Sequence, residues 1–552
     1  MGTDNRIETK CLSSLTKVFS DIDLQDRPFT KGSALLNETY SFQVAYRGKR
    51  LIKNVLVKVS SPFATGVSVR SVGLVPSELP CHLGHDSIIL RSTPGLYPDP
   101  LFPIEENGGI VVFPEQWRSV WISIELNEDT EQGIQLIEII FEDEEGLPIG
   151  REVFELEVIP AKLPVQKLIH TEWFHADCLS THYRVDTFSE EHWALIGKYV
   201  KTAADHGMNM ILTPLFTPPL DTEEGGERPT VQLVDVEKSG DSYRFGFRKL
   251  ERWISVCTEN GISFFEFSHL FTQWGAKHAP KILGLENGSV KRLFGWETDA
   301  SGEEYKNFLD QFLPELVSFL KNHGLEEKSY FHVSDEPNLE HQASYQQASE
   351  MMTNHLEGFP IIDALSDFSF YEKGLVKNPI PANDHIGPFL ENGLENLWTY
   401  YCNAQHRLVS NRFFSMPSFR NRVLGIQLYK YNLTGFLHWG YNFWYSQYSR
   451  KQIDPFKNTD ANYSFPSGDS FLVYPGESGP IESLRLEVLH EAIQDLRALE
   501  LLESLIGKER VLEIVEDGLD QELTFSTYPL EHSWYLSKRD QINHEIKKFY
   551  TR

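Results

Sequence analysis

The chain has 552 residues, too many for one ordinary domain and enough for a barrel enzyme with an accessory domain. Its 41 % hydrophobic and 24 % charged residues describe a globular protein rather than a disordered or membrane-embedded one. With 79 acidic against 51 basic residues the net charge is -28. Such a surface repels phosphate backbones and anionic lipid, so no nucleic-acid or membrane partner is expected, and solubility is the simplest consequence of the charge.

Five cysteines (Cys11, Cys81, Cys178, Cys257 and Cys402) are scattered without CxxC spacing, which predicts neither a zinc site nor a disulfide framework. No metal and no organic cofactor is indicated. The opening MGTDNRIETK carries acids and no apolar core, so it is not read as a secretory signal or a myristoylation site. No run of 18 apolar residues occurs. The expectation is a cytoplasmic enzyme, with no signal for its oligomeric state.

In chain order, residues 1–163 read as an all-β sandwich. SFQVAYRG, RLIKNVLVKVSS, RSVWISIELN, IQLIEIIFEDE and REVFELEVIP are short, partly alternating runs rich in Val, Ile and aromatics, punctuated by turn residues. Residues 164–500 read as an α/β region of the (β/α)8 TIM-barrel type. KLIHTEWF precedes the helical SEEHWALIGKYVKTAADHG, and MNMILTPLF is the next strand. The hairpin-like VQLVDVEKSGDSYRFGF then leads to the helix RKLERWISVCTENG. ISFFEFSHLF, the helix EEYKNFLDQFLPELVSFLKNHG, SYFHVSDEP, the helix LEHQASYQQASEMMTNHLEG and PIIDALSD continue the alternation. PANDHI, NLWTYYC, the helix FRNRVLGIQLYKYN and TGFLHWG complete about eight strands. A doubly wound open sheet is the competitor, but no GxGxxG or P-loop follows the first strand. A long amphipathic helix starts after Pro480, and residues 501–552 form a helical tail packed on the barrel.

Barrel enzymes carry their chemistry at the C-terminal strand ends. Those ends offer Trp173, His175 and Asp177; Glu266, His269 and Trp274; Asp335 and Glu336; Asp363 and Asp367; Trp398 and Tyr400; and His438, Trp439 and Asn442. Carboxylates and aromatics dominate, as in a sugar-cleaving cleft. HVSDEP is the strongest signal. Neighbouring side chains of a straight strand face opposite ways, but Pro337 ends the strand and keeps Glu336 out of helical geometry. At such a bend Asp335 and Glu336 can lean toward one ligand, and their proximity raises one pKa toward the range of a general acid. The bland alternative is that Asp335 orders the turn and Glu336 favours the next helix start.

Several segments together resemble the glycoside hydrolase family 123 proteins, whose characterised members are β-N-acetylgalactosaminidases. They are YPDPL (Tyr97–Leu101), SDEP (Ser334–Pro337), WTYYC (Trp398–Cys402), GFLHWGYNFW (Gly435–Trp444), YPG (Tyr474–Gly476) and SLRLEVLHEAIQD (Ser483–Asp495). The resemblance implies an N-terminal sandwich, a catalytic barrel and retaining, substrate-assisted hydrolysis of a carbohydrate. In that scheme Glu336 is the acid/base, and Asp335 steadies the 2-acetamido group that attacks the anomeric carbon. It further implies that Tyr400 hydrogen-bonds the acetamido oxygen and Trp398 walls its methyl. Trp439 is a candidate sugar platform, and His269, Trp274, Asp177 and Asn442 are candidate hydroxyl binders by position only. Ser470 and Leu496 depart from the family pattern, which leaves the exact sugar open. Two other readings stand beside this one: a retaining glycosidase with Glu266 or Asp363 as nucleophile, and a carbohydrate-binding barrel without turnover.

Overall fold

The computed structural model describes residues 6–63, 66–104, 108–273, 275–337 and 339–550. Trp274 lies outside them. The N-terminal region is sheet-rich. One five-stranded sheet runs in the order Glu8–Ser13, Glu38–Arg47, Arg118–Leu126, Val67–Ser77, Gly95–Pro103. The other runs Lys31–Leu36, Pro148–Lys162, Gly133–Glu142, Ile52–Ser60, Ile110–Val112. Period-two alternation decides which faces meet. In Gly133–Glu142, Gln135, Ile137, Ile139 and Phe141 turn inward while Ile134 and Leu136 face out. Phe42 of the first sheet stacks on Phe154 of the second at 4.2 Å, joining both inner faces in one apolar cluster.

The following region alternates strands with helices. Six parallel strands form one sheet, in the order Ser329–Phe331, Phe264–Phe267, Met210–Thr213, Ile169–Glu172, Gly435–His438, Trp398–Tyr400. Ile362–Ala364 pairs in parallel with Asn378–Ile380. Single parallel bridges, Phe331 to Ile361 and Ala382 to Tyr400, tie this pair to both ends of the six-stranded sheet. The strand expected at PANDHI therefore lies earlier, at Asn378–Ile380, and only Ala382 of that segment pairs. Pro381 supplies no backbone donor, and His385 already turns toward the short helix Gly387–Glu391.

The helices follow their sequence signals. Glu190–Asp205 starts on Ser189, whose hydroxyl accepts the His192 N–H, and stops before Gly207 at φ 88°. The expected hairpin forms as Asp235–Ser239 and Ser242–Gly246. A second hairpin, Ile282–Glu286 with Ser289–Phe294, joins it in a four-stranded sheet. The helix Leu484–Ile506 runs unbroken through the boundary expected at 500/501, so no domain border falls there. The last helix, His532–Tyr550, rests on the sheet-rich region as well as on the region of alternating strands and helices. Asn543 donates to the Ser33 carbonyl at 3.0 Å, and Arg539 pairs with both Glu38 and Asp495. Among the described residues no helix is long and apolar enough to cross a membrane.

The two regions are locked by a buried guanidinium. Arg485 donates to Asp99 at 2.8 and 2.9 Å and to the carbonyls of Gly468 and Phe471 at 2.7 Å each. Tyr474 adds a 2.5 Å bond to the same aspartate. Segments from residues 97–101, 468–471, 474–476 and 483–485 thus converge on one dry node. Removing the cation leaves Asp99 charged and unpaired, which costs about 3–5 kcal/mol. Arg485→Met is expected to lower the denaturation midpoint accordingly, and an unchanged midpoint in urea would show the node to be dispensable.

Candidate functional site

The strand Ser329–Phe331 ends well before Pro337, whose ring disfavours helical geometry at Glu336. Glu336 adopts a left-handed conformation, φ 43°. For a non-glycine residue this costs on the order of 1–3 kcal/mol, and it persists where the surroundings enforce it. The step cancels the alternation of the strand. Asp335 and Glu336, neighbours in sequence, both line one cavity of about 230 Å³. That is below the roughly 300–1,000 Å³ of typical ligand pockets and suits one small ring.

Aromatic rings wall the cavity: Trp173, Tyr400, Trp439, Phe443, Tyr448 and Phe465. Tyr400 sits at the end of its strand and donates its hydroxyl to Glu336 Oε1 at 2.8 Å. Trp439 is half-buried, with its indole N–H on Asp469 Oδ2 at 3.1 Å. This bond presents the ring rather than leaving it loose. Burial pushes the Glu336 carboxyl up, and the bond from Tyr400 partly opposes this. Burial and then the neighbouring Glu336 push Asp335 up further, against the pull of the His332 cation. Water entering the open mouth screens part of both effects, most for Glu336, the more exposed of the two. Two acids in one hollow are thereby biased to hold a proton between them.

Beneath the pair lies a closed layer of charge. Glu266 accepts from Thr171 Oγ1 at 2.5 Å, from Trp173 Nε1 at 2.7 Å and from His332 Nε2 at 2.6 Å. Asp363 accepts from the Val333 N–H at 3.0 Å and from the Tyr345 hydroxyl, with His332 Nδ1 3.4 Å away. Burial alone would depress the His332 imidazole, but Asp363 and Glu266 hold it up at about 10, so it is a cation at neutral pH. Neither Glu266 nor Asp363 lines the cavity, and both are completely buried.

Not every residue singled out by position reaches the cavity wall. Trp398 packs against Tyr330 at 5.7 Å, because the close approach of Gly435 leaves room for its ring there. Asp177 is consumed by a buried ion pair with Arg228 at 2.8 and 2.9 Å. Asn442 clamps the backbone of His175 from both sides, accepting from its N–H and donating to its carbonyl. His269 is buried flat against His332 at 4.3 Å, and burial holds it far below its usual pKa. His175 does line the cavity. Burial and the Arg228 cation hold it neutral, down at about 3, with Nε2–H donating to the Trp439 carbonyl and Nδ1 accepting from Arg228.

A third carboxyl at the cavity, Asp221, gave no sequence signal, lying in a loop eight residues past its strand. It is pushed up to about 6 by burial, against the Tyr448 N–H that it accepts at 3.0 Å and the Arg228 cation. Phe443, Phe465, Tyr448 and Gln273 were likewise not singled out. Their loops follow the strands at a distance that no local pattern fixes. Among the described residues two groups, His269/His332/Asp363 and His206/Glu482/Glu487, bring three possible metal ligands within 4.8 Å of one another. Each already holds a cation against its carboxylates, His332 in the first and Arg70 in the second, so neither has the chemistry of a metal seat.

No curated protein matches the chain. The fold is similar to the solved structure of a family 123 glycoside hydrolase from Clostridium perfringens, studied for glycolipid glycan hydrolysis. The TM-score is 0.74, with 17 % identity over 99 % of each chain. Two further likenesses are too slight to carry an argument. An endo-beta-1,4-mannanase from Thermotoga petrophila gives TM-score 0.34 and 12 % identity over 60 % of this chain and 77 % of that one. The Parabacteroides merdae beta-glucuronidase gives 0.31 and 12 % over 90 % and 52 %. The model of the glycoside hydrolase 123 catalytic domain matches residues 173–502, more than half of the sequence and all of the cavity wall described above. The chain belongs to glycoside hydrolase family 123.

Proposed function

We propose that this glycoside hydrolase removes a terminal β-linked N-acetylhexosamine, N-acetylgalactosamine by the resemblance of its motifs, through retaining, substrate-assisted catalysis. The observation that carries the reading is the pair Asp335 and Glu336, two adjacent acids open to one small aromatic hollow while Glu266 and Asp363 are tied up outside it. The glycolipid glycan hydrolysis studied in the similar Clostridium perfringens structure accords with a sugar substrate. Eight short parallel strands, six in one sheet and two bridged to both its ends, favour a (β/α)8 barrel with the pair at its mouth.

In this scheme protonated Glu336 gives its proton to the leaving glycosidic oxygen as the 2-acetamido oxygen bonds to the anomeric carbon and the C–O bond breaks. Asp335 accepts a hydrogen bond from the acetamido N–H and balances the charge of the oxazolinium ring. Glu336, now a carboxylate, takes a proton from water as that water opens the ring, restoring the starting state with net retention. The nucleophile belongs to the substrate, so its positioning entropy is met on binding and no protein nucleophile is needed. Desolvation keeps one proton on the pair toward neutral pH, and an acetamido N–H donated to Asp335 favours its carboxylate and leaves that proton on Glu336, where an acid catalyst requires it.

A protein nucleophile is less well supported. Glu266 and Asp363 each hold three partners and are shut off from the cavity. Glu336→Gln is expected to lower kcat on natural-type linkages by about 10²–10⁴-fold, with a smaller loss on p-nitrophenyl glycosides. Asp335→Asn is expected to lose about 10²–10³-fold on 2-acetamido sugars. Steady-state kinetics on both substrates read this, and near-native turnover by Asp335→Asn would end the substrate-assisted reading. A thiazoline analogue should inhibit competitively, and labelling of Glu266 or Asp363 by a 2-fluoro sugar would put the nucleophile in the protein instead.

The pH profile follows from the same groups. Activity needs Glu336 protonated, so kcat/KM falls as pH rises through its raised pKa. The hydroxyl of Tyr400 stabilises the carboxylate and holds that pKa down. Tyr400→Phe is expected to move the alkaline limb upward, by up to about one pH unit. A limb that stays put or moves downward would contradict this role for the hydroxyl.

A further inference from the structure

A second cavity, about 300 Å³, adjoins the first and shares two of its walls, Gln273 and Tyr448. Its wall includes Trp296, which follows the hairpin Ile282–Glu286/Ser289–Phe294. The indole N–H is anchored on the Gly226 carbonyl at 2.9 Å and its edge packs on His278 at 5.9 Å, so the half-buried ring is held still. Glu227 binds both Lys281 and Arg292, which fastens the hairpin to the loop carrying Gly226. Gln273 is 7 % exposed and its amide oxygen accepts the Asp221 N–H at 2.7 Å, whereas its amide nitrogen has no partner among the described residues. An unpartnered buried donor on the wall common to two cavities is a cost unless a ligand meets it.

The rest of the wall carries both signs of charge: Lys277 and His278 stand against Glu223 and Glu224, with Glu223 already paired to Arg450. Such a rim selects neither anions nor cations. A fixed aromatic face, hydroxyl- and amide-bearing walls and no net charge preference fit an uncharged polyhydroxylated ring with one apolar face.

We propose that this second cavity is an aglycone subsite, in which the sugar next to the scissile bond stacks on Trp296, and that the enzyme is therefore built for oligosaccharide rather than simple aglycones. The inference rests on the reading of the first cavity as the seat of a terminal N-acetylhexosamine.

The test compares two substrates ending in the same β-linked N-acetylgalactosamine, a p-nitrophenyl glycoside and a trisaccharide, on the full chain and on Trp296→Ala and Trp296→Phe. Trp296→Ala is expected to lose about tenfold in kcat/KM on the trisaccharide, mostly through KM, and less than twofold on the aryl glycoside, with Trp296→Phe recovering most of the loss. Unchanged trisaccharide kinetics, or equal losses on both substrates, would overturn the subsite. Wild-type turnover of the aryl glycoside reads the parent assignment by itself. Its absence overturns both claims, whereas its presence with an indifferent Trp296 overturns only this one.

Discussion

The structure depends on a single backbone step, the left-handed residue at Glu336. Strand geometry sends adjacent side chains apart, and only a break in that geometry lets Asp335 and Glu336 enter the same hollow. Pro337 ends the run by denying a backbone donor and disfavouring helix at Glu336, and the left-handed turn at Glu336 completes the break. The strain is local and must be met by the surroundings. Tyr400 meets part of it from the far side of the cavity by binding the Glu336 carboxyl, and the tight layer of Glu266, His332 and Asp363 fixes the floor.

That floor has a second consequence. His332 is a buried cation held between the carboxyls of Glu266 and Asp363, and its charge also pulls down on the pKa of Asp335. The pair above is thus acidic enough to share a proton, yet never isolated from a counter-charge. Farther out, Arg485 draws Asp99 of the sheet-rich region, Tyr474 and the carbonyl of Gly468 together. Residue 469, next in the chain, holds the indole of Trp439. The sheet-rich region is therefore connected to the cavity wall through two residues, Gly468 and Asp469.

Much of this was legible in the residues. Helix limits were marked by Ser189, Gly207 and the apolar period, and HVSDEP announced both the turn and the paired acids. The sequence was less informative where tertiary packing decides. Lys31–Leu36 and Gly95–Pro103 lack a clean alternation, because both strands are buried against the neighbouring region as well as their own sheet. Trp398, Asp177, Asn442 and His269 share the strand-end positions of Tyr400 and Trp439. An ion pair, a backbone clamp or a ring stack turns each of the four away from the cavity, and these partners lie far off in sequence. Asp221 is the reverse case, a loop residue whose place at the cavity is set by a contact with Tyr448 more than 200 residues later.

The claim that two desolvated acids share one hollow is tested most directly by stability as a function of pH. Both carboxyls have folded pKa values above those of the free chain, near 3.9 and 4.3, so the unfolded state releases their protons first as pH rises. These two groups subtract from the native protein's stability from about pH 4 upward through the raised values, and a chain carrying Asp335→Asn with Glu336→Gln is spared that loss. Thermal melts of both proteins should nearly coincide at pH 4 and separate toward pH 8, with the amide variant the more stable. A gap that does not change with pH, or an amide variant that melts lower at pH 8, would contradict the shared hollow.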